Sequence, residues 1–127
     1  MDNIIENNKL IAEFMGLNKT KMFFNLKTGN YVKKETADCD IKVVDVYLKN
    51  NKPITNFYYH SDWNWLMEVV EKIESLGNDI LITSNYIQIT YDKGEKFITI
   101  ELEGNIKIFA VYNACIEFIK WYNEKNQ

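Results

Sequence analysis

The residue types with chemical capacity gather in one stretch, Tyr59-His60-Ser61-Asp62-Trp63-Asn64-Trp65-Leu66-Met67, which holds the only histidine and two of the three tryptophans. His60 beside Ser61 pairs a base with a hydroxyl, and such a pair is catalytic only if the imidazole lies within hydrogen-bond reach of the proton it removes. Ser61 has a competing role as the N-cap of a helix, its hydroxyl accepting from a first-turn amide, with Asp62 then at the positive end of the helix dipole. A metal centre on His60 would need carboxylates for its other ligands. Asp62 is near but nothing supplies the rest, so no metal site and no cofactor are expected.

Aromatic residues give this stretch a second kind of chemistry. Phe57, Tyr58, Tyr59, His60, Trp63 and Trp65 lie at the mouth of a helix N-terminus. Ring faces there can stack on a nucleobase while outward-pointing amides receive a phosphate, although Asp62 opposes the phosphate half. The competing reading is that these rings seal a junction between sheet and helix. Tyr59, His60, Ser61, Trp63 and Trp65 form the candidate ligand-binding set, with no catalytic residue among them. Elsewhere, Cys115 falls on the apolar line of a helix, where cysteine serves as a small hydrophobe. Glu101 and Glu103 flank Leu102 as the solvent face of a strand. Cys39 and Cys115 lack CxxC spacing and are expected to be free thiols, Cys39 the more exposed.

These residues need elements to hold them. The central helix runs to about Ser75 with Gly77 as its stop; Leu66, Val69, Val70, Ile73 and Leu76 share its buried stripe, and Trp63 and Trp65 fall near opposite margins. A first helix spans Asn3 to Met15, with Ile4, Leu10, Ile11, Phe14 and Met15 inward and Gly16 closing it. Between the two, strands are expected at Lys21–Leu26, Tyr31–Lys34, Ile41–Leu48 and Ile54–Tyr59, with turns at Thr28–Asn30 and Asn50–Pro53 and a loop at Glu35–Asp40. After Gly77 the period becomes two: Ile80 and Ile82, Ile87 and Ile89, then Ile98, Ile100 and Leu102 describe a three-strand meander with turns at Ser84-Asn85 and at Asp92–Glu95. A last helix runs from Ile106 to Asn123 behind an Asn105 cap. The order α-ββββ-α-βββ-α predicts a single α+β domain over residues 1–127, one antiparallel, meander-containing sheet with helices packed mainly on one face.

Composition narrows the function. The chain has 127 residues, 46% of them hydrophobic, enough for one core. Its formal charge of −3 and complete lack of arginine disfavour a duplex nucleic-acid partner, since backbone neutralisation needs concentrated basic surface and arginine is the usual phosphate clamp. No apolar run approaches a membrane span and no leader is evident, so a soluble, cytoplasmic protein without membrane contact is expected.

Three segments carry a resemblance: Asn8–Gly16; Tyr59–Met67 with Val69–Glu74; and Ala110–Ala114 with Glu117–Asn123. Together they resemble a family of small uncharacterised proteins from phages and mobile elements of Bacteroidetes-type bacteria. The resemblance covers most of the helical part and implies a setting, a phage-encoded accessory protein in the bacterial cytoplasm, with no catalytic residues to carry over. Two expectations follow. One is a non-enzymatic counter-defence protein that binds a small nucleotide signal or a host protein, and self-associates as small domains of this type do. The other is a small nucleotide hydrolase or nucleotide-modifying enzyme using His60.

Overall fold

The computed structural model describes residues 3–32, 40–54, 56–104 and 106–126. They form an α+β fold in the order α-ββββ-α-βββ-α: α1 Ile4–Phe14, β1 Asn18–Asn25, β2 Asn30–Val32, β3 Ile41–Lys49, β4 Lys52–Ile54, α2 Trp63–Ser75, β5 Asp79–Ile82, β6 Tyr86–Tyr91, β7 Lys96–Glu101 and α3 Lys107–Lys125. The strands divide into two antiparallel sheets, β2-β1-β3-β4 and β5-β6-β7, where the sequence pattern alone suggests one. Correspondingly the chain falls into two compact units, one made of Met1–Met15 with Phe57–Gln127, the other of Gly16–Asn56.

The first unit holds all three helices and the meander. Register aligns isoleucines across it, Ile80 opposite Ile89 opposite Ile98 and Ile82 opposite Ile87 opposite Ile100, so one sheet face is a continuous β-branched surface. Helix α3 packs on β6 and β7, α2 packs on β5 and α3, and α1 packs on α3. Eight α3 residues, from Ala110 through Ile119, are buried, which makes it the central element of this unit. Its start is Lys107 with Ile106 at the cap position, and the Asn105 expected there lies outside the described residues. Leu66, Val69, Val70 and Ile73 form the buried stripe of α2 as its period requires, but Leu76, expected to extend it, is the C-cap beyond the last helical turn and is 42% exposed. Gly77, at φ +94°, takes the left-handed conformation that closes this helix.

In the second unit β1 and β3 pair over eight positions, from Asn18 opposite Leu48 to Asn25 opposite Ile41. The β3–β4 turn is tighter than the sequence suggests. Asn50 and Asn51 both have positive φ, 53° and 64°, the geometry of a two-residue hairpin turn, so β4 is Lys52–Ile54 and not the expected Ile54–Tyr59, and Phe57–Tyr59 lie outside any strand. Proline fits in β4 because this is an edge strand, where a missing N–H is tolerated. Most of the expected Glu35–Asp40 loop, Cys39 and the Lys33-Lys34 end of the second strand lie outside the described residues.

Candidate functional site

A turn sets the start of α2. The Tyr58 carbonyl accepts from the amides of both Ser61, at 3.1 Å, and Asp62, at 2.9 Å. This leaves Asp62 extended, at φ −126° and ψ 117°, with its carboxylate accepting from the Asn64 amide at 2.8 Å. Asp62 is therefore the N-cap, and the expected Ser61 cap is corrected by one residue. The same bond fills part of the helix N-terminus with the chain's own carboxylate, at the place where a phosphate would dock.

The aromatic residues separate into an enclosed group and an accessible one. Tyr59 is only 1% exposed; its ring stacks on Phe57 at 6.1 Å and meets the edge of Trp65 at 5.1 Å. Burial, aided by the negative charge of Glu68, pushes its hydroxyl up to about 12. Trp65 is half-buried and is also met by Tyr58, edge to face at 5.5 Å. Trp63 lies roughly 160° around the helix from Trp65. It is 40% exposed, and Met67, one turn further along the same margin, is 37% exposed.

His60 is drawn inward to a residue that the sequence does not single out. Asn8 on α1 is 4% exposed, and it links three elements. Its Nδ2 donates to the Phe57 carbonyl at 3.3 Å and lies 3.1 Å from His60 Nδ1, while its Oδ1 accepts from the Tyr112 hydroxyl at 3.0 Å. The Phe57 carbonyl can only accept, so the amide nitrogen must face it. His60 Nδ1 then accepts, and the proton of the neutral ring sits on Nε2. Tyr112 also faces the imidazole edge to face at 6.1 Å, and burial pushes its hydroxyl up to about 12. The arrangement is a satisfied polar knot inside a core. Among the described residues no hydrogen bond joins His60 to Ser61, so the two members of the expected base–hydroxyl pair are neighbours in sequence without being coupled. The signal that could have found Asn8 is its place on the apolar stripe, three and four residues before Ile11 and Ala12.

Other candidate chemistry is also located. Cys115 is completely buried, and burial pushes its thiol up to about 12, so it stays protonated at neutral pH and is sterically closed to substrate. Glu101 and Glu103 are exposed at the rim of a groove of about 580 Å³ on the outer side of the meander, together with Tyr86, Gln88 and Thr99. Among the described residues no group of three or more His, Cys, Asp or Glu side chains is placed to hold a metal ion, and no helix is long and apolar enough to cross a membrane. Comparison of the chain with protein families, curated proteins and solved structures finds no match.

Proposed function

We propose that this protein is a non-catalytic binding protein that docks on another protein of its cell through the margin of α2 headed by Trp63 and Met67. The observation that carries the proposal is that pair: an indole and a thioether a turn apart on one margin of a helix, both more than a third exposed, while Leu66, Val69, Val70 and Ile73 of the same helix are buried. Exposed aromatic and methionine side chains are the residue types that interface cores favour. Catalysis has less support, since Cys115 is enclosed and His60 Nδ1 is committed to Asn8. A nucleotide ligand has less support too, because Tyr59 offers no face and the Asp62 carboxylate already caps the Asn64 amide at the start of α2. The phage setting implied by the resemblance suits such a role, a small accessory protein that occupies a host protein and blocks it.

The test places a photo-crosslinking amino acid at position 67 in the producing bacterium, with position 99 on the meander as a control. A protein adduct specific to position 67 is expected, and Trp63→Ala should abolish it. Trp63→Ala should also lower stability less than Leu66→Ala, which removes core methyl groups at a cost of roughly 2–5 kcal/mol. Nucleotide turnover by the purified protein that His60→Gln removes would establish the enzyme instead.

A further inference from the structure

The margin of α2 that carries Trp63 and Met67 continues as acid. At 3.6 residues per turn Trp63, Glu74, Met67 and Glu71 fall within about 80° of arc, a strip apolar in its first half and anionic in its second. All four are exposed. Glu71 and Glu74 have no ion-pair partner among the described residues. Their position works against the helix, because the last turns carry the negative end of the macrodipole, where carboxylates destabilise and lysines stabilise. The one lysine of α2 does not offset them locally. Lys72 Nζ reaches away to donate to the Phe14 carbonyl at the end of α1, at 2.6 Å, with the Phe14 ring 5.1 Å beneath it. The carbonyls of Lys72, Ile73 and Glu74 at the end of α2 accept from Ser75, Asn78, Leu76 and Gly77, so the negative potential on the side where Met67 is exposed comes from the two carboxylates. A sequence that sets charge against its own helix sacrifices stability for something outside it.

We infer that the partner docked on α2 is a protein surface with an apolar depression flanked by lysine or arginine side chains, the depression taking Trp63 and Met67 and the cations meeting Glu71 and Glu74. This rests on the docking proposal above and names the chemistry of its partner.

The experiment uses the position-67 crosslink as readout and, as probe, the purified protein that carries the adduct. Glu71→Lys/Glu74→Lys should weaken its binding at least tenfold, and raising salt from about 50 to about 300 mM should weaken the parent's binding several-fold but the variant's little. The same double variant should melt no lower than the parent, since lysine suits a helix C-terminus. Weakened binding in a fully folded variant is thus separable from misfolding. An adduct indifferent to both charge reversal and salt would overturn the basic-partner inference and leave docking intact. No adduct at position 67 would remove both, and an adduct formed only with a second copy of this chain would replace the partner altogether.

Discussion

Asn8 shows at the scale of one residue what the sequence conceals. A polar residue in an apolar stripe is visible from its spacing, but its partners, Phe57, His60 and Tyr112, lie 49, 52 and 104 residues away and no local pattern points to them. Burial makes the knot sensitive to loss of any member, because a buried polar group left without a partner costs about 1–3 kcal/mol. Asn8→Leu, which strands the buried Tyr112 hydroxyl, should accordingly destabilise the protein by roughly 1–3 kcal/mol. Adding Tyr112→Phe, which removes the stranded hydroxyl, should recover part of the loss, so chemical denaturation of the two single variants and the double variant would show a coupling of about 0.5–3 kcal/mol. Strict additivity would mean that the Tyr112–Asn8 bond contributes nothing. The site residues were legible to a similar degree: the exposure of Trp63 follows from its helical position, whereas Tyr59 precedes the helix in a turn, where no periodicity indicates which side faces inward. A second consequence concerns Cys115, whose pKa folding raises from the ordinary 9 to about 12. An acid held protonated by folding stabilises the native state fully while the unfolded group is also protonated, and that contribution is lost as pH rises from 9 toward 12. Because the raised Tyr59 and Tyr112 hydroxyls enter only above their ordinary value of 10, the interval between about pH 8 and about pH 10 reports mainly the thiol. Stability of the parent should fall across it, and that of Cys115→Ala should fall less; equal slopes would mean that the thiol ionises as easily folded as unfolded.

At the scale of elements, the parts fixed by strong local signals coincide with their sequence-based bounds. Helix α2 ends at Ser75 before Gly77, α1 ends before Gly16, and the meander follows its period of two because each strand pairs with the next through a short turn. Boundaries that two good residues compete for are less legible. Ser61 and Asp62 are both favoured N-caps; what decides between them is the Tyr58 carbonyl, which takes both amides and keeps Asp62 extended. Asp62→Ala should therefore cost about 0.5–2 kcal/mol, the usual loss for a removed cap, and Ser61→Ala close to nothing. Thermal unfolding of the two variants side by side checks the assignment, and it fails if Ser61→Ala is the more damaging. The Asn50–Pro53 stretch reflects a similar competition. Four turn-forming residues in a row read as a turn, but Asn50 and Asn51 alone reverse the chain once both adopt positive φ, which releases Lys52 and Pro53 to a strand.

The division into two sheets belongs to the whole molecule and is the feature least legible in the sequence. Alternation assigns a strand its faces but not its neighbour, and only short hairpin turns add that information. Each sheet here joins strands close in sequence, β1 to β4 or β5 to β7, and the chain between them is taken up by α2. The two units also differ in how much apolar surface they enclose. Among the described residues the Gly16–Asn56 unit buries Val46 and Tyr47, while the helical unit buries Ile87 and Ile89 on β6, Leu66, Val69, Val70 and Ile73 on α2, and most of the middle of α3. Amides protected by a deep core exchange only through large openings, whereas a thinly covered sheet opens locally at lower cost. Hydrogen exchange should therefore be slowest at β6 and the centre of α3, and the paired amides of β1 and β3 should exchange at least about tenfold faster, a difference in opening free energy of roughly 1.4 kcal/mol or more. If the β1–β3 ladder instead exchanged as slowly as β6, the four-stranded sheet would open only with the helical core, and its paired backbone, not its burial, would set its resistance.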